Sequence, residues 1–232
     1  MNGLKPNLKE NQMFEPVPKF TCFSHGWTIS EKIDGTNAAI IIVPTDTFGL
    51  EGTRHESETG LTPTMVNGPR PFAIHGEFAV LAQSRNKLIY PGKSADNHGF
   101  ASWVAANVEQ LIGTLGEGRH FGEWCGSGLQ RRYGLEEKRF ALFNTHRWAG
   151  TDLALKGGRL TCVPILAEGY MDDPGWVALE CMEKLKIEGS RFAPGFMDPE
   201  GVVMRHGPSG TVFKKTFDYD EKGKWAEKEQ NK

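Results

Sequence analysis

Residues 27–43 read WTISEKIDGTNAAIIIV. The first part, 27–31, alternates apolar and polar residues, the period of a half-buried strand. It stops at Lys32. A turn through Asp34-Gly35 follows, and then an apolar run, 38–43, rich in β-branched residues, reads as a second strand. Taken alone, this is a β-hairpin with a solvated lysine at the end of its first arm.

Working outward, further short runs carry the same signature: 72–81, 120–124, 139–143, 161–167, 201–205 and 211–216. Each is rich in Val, Ile, Phe or Thr and bounded by Gly or Pro, as strands of antiparallel sheets are. Two helices stand apart. Val104, Val108, Leu111 and Leu115 recur at helical spacing and predict one helix over 100–115. The other starts with Asp173 as N-cap and Pro174 in first position, and stops at Gly189, with Ala178, Met182 and Leu185 as its buried stripe. Strands dominate and do not alternate regularly with helices. The expected class is α+β, antiparallel β-sheets flanked by helices, not a doubly wound sheet. Segment 44–70 is polar and Gly/Pro-rich, a loop or hairpin excursion. Residues 218–232 form a charged tail with little to bury, which leaves 1–217 as one domain.

Composition narrows the function. With 38% hydrophobic residues, 10% aromatic and 24% charged, the 232 residues can bury a core. No run approaches the ~18–20 apolar residues that span a bilayer. The N-terminus has no apolar stretch of a secretory signal, so a reducing cytoplasm is expected and a membrane is not. Cys22, Cys125, Cys162 and Cys181 are scattered without a CxxC pair, and no histidine pair has metal-ligand spacing. A net charge of −2 means that any nucleic-acid contact comes from a local patch.

The chemistry lies in an ordered set of short motifs. Lys32-Ile33-Asp34-Gly35 is a KxDG. Phe121-Gly122-Glu123-Trp124 puts an acid in a strand, and Arg139-Phe140-Ala141-Leu142-Phe143-Asn144 is an aromatic strand. Glu200-Gly201-Val202-Val203 is EGVV, and Thr211-Val212-Phe213-Lys214-Lys215-Thr216 bears lysines. In this order the set resembles the motifs of the covalent nucleotidyltransferases, the ATP-dependent ligases and mRNA capping enzymes. It spans residues 31–216. The resemblance implies an ATP-grasp-like nucleotidyltransferase fold, the adenylation fold of DNA and RNA ligases, with ATP and Mg²⁺ or Mn²⁺ as cofactors.

It also implies roles. Lys32 attacks the α-phosphate of ATP, giving a lysyl-AMP phosphoramidate and pyrophosphate. A lysine of pKa ~10.4 must first lose its proton, and nearby cations ease that loss. Glu200 holds the metal directly or through water, as suits an ion that prefers oxygen ligands. Glu123 contacts the ribose, Phe143 stacks on adenine, and Glu31 helps select adenine, chiefly through its backbone. Ile33, inside the motif, belongs to the nucleotide site as well.

The fifth residue after the lysine separates subfamilies. DNA ligases usually carry arginine there. Asn37 gives KxDGTN, similar to RNA ligases that seal nicked duplex RNA, and by that resemblance Asn37 serves adenylylation and sealing. The Gly118–Gln130 stretch is similar to phage-type RNA ligases, implying a phage-infected or bacterial cell. Two arginines compete for the phosphate role: Arg85 in Ser84-Arg85, and Arg54, at a more typical distance from Lys32. His75-Gly76-Glu77 also matches the acidic motif, making Glu77 a competitor of Glu123. The family's last motif is KxK, with both lysines on one strand face. Here Lys214 and Lys215 are adjacent; Lys214 is favoured for the phosphate, while Lys215 faces the other way unless a bulge intervenes.

After Thr216 no OB domain is evident, so a core working with a partner protein in place of a C-terminal domain is expected. The substrate expected is RNA, as ends or as a nicked duplex with a 5′-phosphate and a 3′-OH. A minimal DNA ligase and a catalytically silent nucleotide- or nucleic-acid-binding module are the alternatives.

Overall fold

In the computed structural model, which describes residues 26–48, 71–92, 96–153, 155, 158–170, 173–207 and 209–220, strands β1 (Trp27–Lys32) and β2 (Thr36–Pro44) do not form a hairpin. Each enters a different sheet. The connection Ile33-Asp34-Gly35 carries the chain across, because it is pinned on all sides. Ile33 is buried in a cluster with Cys125, Tyr133, Ala141 and Phe192. The Asp34 amide donates to the Tyr133 hydroxyl at 2.7 Å. Gly35 lies so close to the Trp124 carbonyl that an added Cβ would approach it to 2.4 Å. A side chain cannot be accommodated there, which is why the turn takes glycine.

The larger sheet holds β3 (Ala73–His75), β4 (Phe78–Ser84), β2, β6 (Gly118–Gly126), β7 (Lys138–Leu142) and β8 (Leu160–Cys162) in that order, with β5 (Leu88–Ile89) paired to β4. The smaller runs β11 (Val212–Thr216), β10 (Gly201–His206), β1, β9 (Ile165–Gly169). Their pairs are antiparallel with one exception: β7 and β8 are parallel.

Helices cover one face of each sheet. Helices α1 (Phe100–Ala106) and α2 (Val108–Leu115) pack on the larger sheet, where Phe100, Trp103, Trp124 and Phe140 form an aromatic cluster. Each such ring stabilises the fold by ~1.5–3 kcal/mol relative to exposure. Helix α3 (Pro174–Glu188) packs Cys181, Met182 and Leu185 against Trp27, Ile29 and Val202 of the smaller sheet. Its ends are as expected: the Asp173 carboxylate accepts from the Gly175 amide at 2.8 Å, and Gly189 has φ 83°. The α+β class holds.

Three element boundaries differ from expectation. The helix over 100–115 breaks at Asn107. The Asn107 side-chain amide donates to the Trp103 carbonyl at 2.7 Å, so its own N–H turns to Val104 O at 3.1 Å, an i−3 bond. A short polar side chain competing for a helix carbonyl interrupts the ladder. The run 72–81 is a hairpin, β3–β4, reversed at Gly76 with φ 60°. The run 161–167 is divided between sheets at Val163-Pro164; proline has no N–H for a ladder. Beyond 217 the chain forms a short helix α4 (Phe217–Asp220), and residues 221–232 of the expected tail lie outside the described residues, as does most of 44–70.

Candidate active site

The faces not covered by helices carry the motif residues. On β1, Trp27, Ile29 and Glu31 face α3, so Thr28, Ser30 and Lys32 face the other way. The ladder extends this face: Ser30 pairs with Val203 and Val203 with Lys214, while Lys32 pairs with Gly201. Lys214 is therefore on the Lys32 face. Lys215 pairs with Val202, which pairs with Glu31, and belongs to the opposite face. No bulge brings the two lysines to one side.

Gly201 has φ 148°, and a Cβ there would approach the Lys215 carbonyl to 2.1 Å. This glycine lets β11 close onto β10. It also turns the preceding residue inward: Glu200 Oε2 lies 2.6 Å from Lys32 Nζ, with the two side chains only 15% and 21% exposed.

On the larger sheet, Asn37 pairs with Glu123, and the Asn37 side chain hydrogen-bonds the Glu123 carboxylate. Since Ala38 pairs with Ser84, Arg85 continues the row beyond Asn37. Burial pushes the Glu123 carboxyl up to about 7, and the negative Glu200 adds to it, while Lys32, Asn37 and Arg85 pull it down. The Lys32–Glu200 pair of the smaller sheet and the Asn37–Glu123 row of the larger, with Arg85 at its end, thus all act on one carboxyl, beside the Ile33-Asp34-Gly35 connection between the sheets.

Phe143 closes β7 on the same face, 42% exposed, its amide bonded to the Phe121 carbonyl at 3.0 Å. Phe121, missed in the sequence reading, is 47% exposed beside it, with the Arg119 guanidinium 5.9 Å from its ring centre. The signal was present: Phe121 is two residues before Glu123 in a strand, hence on its face. At the far end, His146 Nε2 reaches Thr28 Oγ1 at 2.8 Å and Glu168 Oε1 at 3.2 Å, joining the sheets.

Other expected residues sit elsewhere. The Glu31 side chain is 1% exposed and points away from Lys32; it accepts from Ser190 Oγ at 2.6 Å and from the amides of Arg191 and Phe192 at 2.8 and 2.9 Å. Its carboxylate anchors the segment after α3. Burial raises its pKa, opposed by those donors. The Ile33 side chain is core, which leaves only its backbone for a ligand. Glu77 is exposed in the β3–β4 turn, beside the Pro44 end of β2. At ~3.3 Å per residue it lies roughly 20 Å along the strand from Asn37. It does not compete with Glu123. Arg54 lies outside the described residues.

Among the described residues no three His, Cys, Asp or Glu side chains form a metal cage. Glu200 and the nearby Glu123 suit a different mode, in which Mg²⁺ or Mn²⁺ arrives on phosphates and takes one or two carboxylates. Among the same residues no helix is long and apolar enough to cross a membrane.

A family model described as RNA ligase matches residues 26–216. No curated protein matches the chain. Two solved variants of the Naegleria gruberi RNA ligase share its fold. The one with ATP and Mn is 16% identical with a TM-score of 0.50, covering 87% of this chain and 53% of that one. The one with AMP and Mn is 13% identical, also at 0.50, with the same coverage. The chain thus spans about half the length of these structures.

Proposed function

The chain belongs to the RNA ligase family, and from that premise we propose that it is an ATP-dependent ligase of RNA ends that works through AMP bound covalently to Lys32. The observation that carries this reading is the convergence of Lys32, Glu200, Glu123, Asn37 and Arg85 from two sheets, with Lys32 ion-paired to Glu200 at 2.6 Å. Support for the nucleotide and metal comes from relatives solved with ATP or AMP and Mn.

An ammonium in an ion pair is not a nucleophile, so the pair must open and Lys32 must lose its proton before attack. The Nζ–Pα bond then forms as the bond to pyrophosphate breaks. Glu200 and Glu123 would hold a divalent metal, which supplies charge neutralisation at the transferring phosphate. Lys214, on the Lys32 face, and Arg85 would bind phosphate oxygens. Phe143 offers an exposed ring for the adenine. A 5′-phosphate oxygen next displaces Lys32 from AMP, and a 3′-hydroxyl finally displaces AMP to close the phosphodiester.

The substrate within this reading is nicked duplex RNA, on the strength of Asn37 in KxDGTN; a partner protein that contributes strand contacts, and a phage-infected or bacterial cytoplasm, complete the proposal. The test is incubation with α-labelled ATP and Mg²⁺, comparing wild type with Lys32→Ala by denaturing gel and intact mass. An AMP adduct absent from the variant is expected. Well-folded protein that forms no adduct would overturn the reading, and faster sealing of nicked DNA than of nicked RNA would overturn the substrate assignment.

A further inference from the structure

Arg131 belongs to no motif of the ordered set, yet its guanidinium meets an acid within one of them, Asp34, and one beside each of two others, Asp198 and Asp218. Nη1 contacts Asp198 Oδ2 at 2.6 Å and the Asp198 carbonyl at 3.0 Å, Nη2 contacts the Asp218 carboxylate, and Nε lies 3.5 Å from Asp34 Oδ2. The side chain is only 12% exposed, and Nε is buried with no hydrogen bond of its own. Each of the three acids stands close in sequence to a group of the site. Asp34 is two residues after Lys32, Asp198 two before Glu200, and Asp218 four after Lys214.

The loop that presents Arg131 is held in an uncommon conformation. Gln130, Arg132 and Tyr133 have φ of 24°, 60° and 54°, the left-handed region that non-glycine residues avoid. Tyr133 fixes the loop by packing on Phe192 and Phe196, at ring separations of 5.6 and 4.9 Å, and by accepting the Asp34 amide. Strain at a site is retained where the surroundings over-determine it. A planar fork with five donors can bind several oxygens at fixed angles, which a flexible ammonium cannot do.

We propose that Arg131 is a positioning residue for Lys32: it sets Glu200 through Asp198 and the end of the Lys214 strand through Asp218, both relative to the Asp34 turn. Without it, the ladder still pairs β1, β10 and β11, but the segments that carry Glu200 and follow Lys214 lose their common tie to the Asp34 turn, and the Glu200 side chain is freer to leave Lys32. The proposal rests on the ligase reading for its consequence, but the geometry it asserts can be read without catalysis.

The experiment uses the full chain as wild type, Arg131→Met, Arg131→Lys, Asp198→Asn and Asp218→Asn. Lys32 acylation by an amine-reactive ester is followed by peptide mass spectrometry from pH 7 to 9, with the exposed Lys184 and Lys186 of α3 as internal references. Adenylate formation with ATP and Mg²⁺ is measured in parallel, separating kcat from KM. Arg131→Met and Asp198→Asn are expected to raise the Lys32 to Lys184 labelling ratio about threefold or more as the Glu200 pair loosens. They should also lower the adenylylation kcat by about 10–100-fold with little change in KM for ATP. Arg131→Lys should recover only part of this. Unchanged labelling in both variants would overturn the proposal, as would a wild-type adenylylation rate. If Arg131→Met fails to fold, the two Asn variants decide, because Asp198 and Asp218 are 73% and 62% exposed. A wild type that forms no adenylate refutes the ligase reading, and the labelling ratio still decides the role of Arg131.

Discussion

Asn37 and Glu123 face each other across the β2–β6 ladder, joined by a side-chain hydrogen bond, and Glu123 is the carboxyl that the site perturbs to about 7. Because its folded value lies above the ordinary 4.5, the protonated acid is the form that the fold favours. The associated stability is fully present below pH 4.5 and is lost as the pH rises through about 7. Glu123→Gln removes that loss. Urea unfolding at pH 5 and pH 8 should show the variant gaining up to about 3 kcal/mol on wild type between the two values. Parallel pH dependence of the two proteins would exclude the perturbed carboxyl.

Gly35→Ala tests the crossing between sheets. Its Cβ would be forced to 2.4 Å from the Trp124 carbonyl, a backbone atom that cannot move without displacing β6. A loss of about 2 kcal/mol or more in denaturant unfolding is expected. A change under about 0.5 kcal/mol, typical of an open surface site, would mean that the turn is not pressed on β6.

Glu31 offers a different separation. Removing its carboxylate in Glu31→Ala orphans the Ser190 hydroxyl and the Arg191 and Phe192 amides. At ~1–3 kcal/mol for a buried unsatisfied group, the variant should lose about 3 kcal/mol of stability. A variant of normal stability with weakened ATP binding would instead assign the carboxylate to the nucleotide.

The two adjacent lysines should separate in adenylate formation. Lys214→Ala, on the Lys32 face, is expected to slow the step by about 10²-fold, the scale for losing one donor to a developing charge. Lys215→Ala, on the Glu31 face, should leave the rate near wild type. A larger defect in the second variant would require β11 to shift register when nucleotide binds.

Much of this was legible along the chain. Alternation located β1, and runs rich in Val, Ile, Phe or Thr bounded by Gly or Pro located β2, β6, β7, β10 and β11, because these signals are carried by neighbours in sequence. The caps at Asp173 and Gly189 were visible for the same reason: a helix end is satisfied by residues within a turn of it. The order of the motifs named Lys32, Glu123, Asn37, Phe143, Glu200 and Lys214 as candidates before any geometry was known.

Other features depended on distant partners. Nothing local says that β1 and β2 separate into two sheets; Ile33, Asp34 and Gly35 are held by Tyr133, Phe192 and Trp124, about a hundred residues or more away along most of those contacts. Glu77 and Glu123 both follow a glycine in a strand-like run, and only the β2 register sets one opposite Asn37 and the other at the far end. Arg131 has no motif at all. Sequence by itself determined which residues carry reactive groups and which way each strand faces, since those follow from side-chain chemistry and backbone period. The tertiary structure decided which of those groups meet, because a Lys32–Glu200 contact spanning 168 residues exists only when the ladder pairs β1 with β10 and sets Lys32 opposite Gly201.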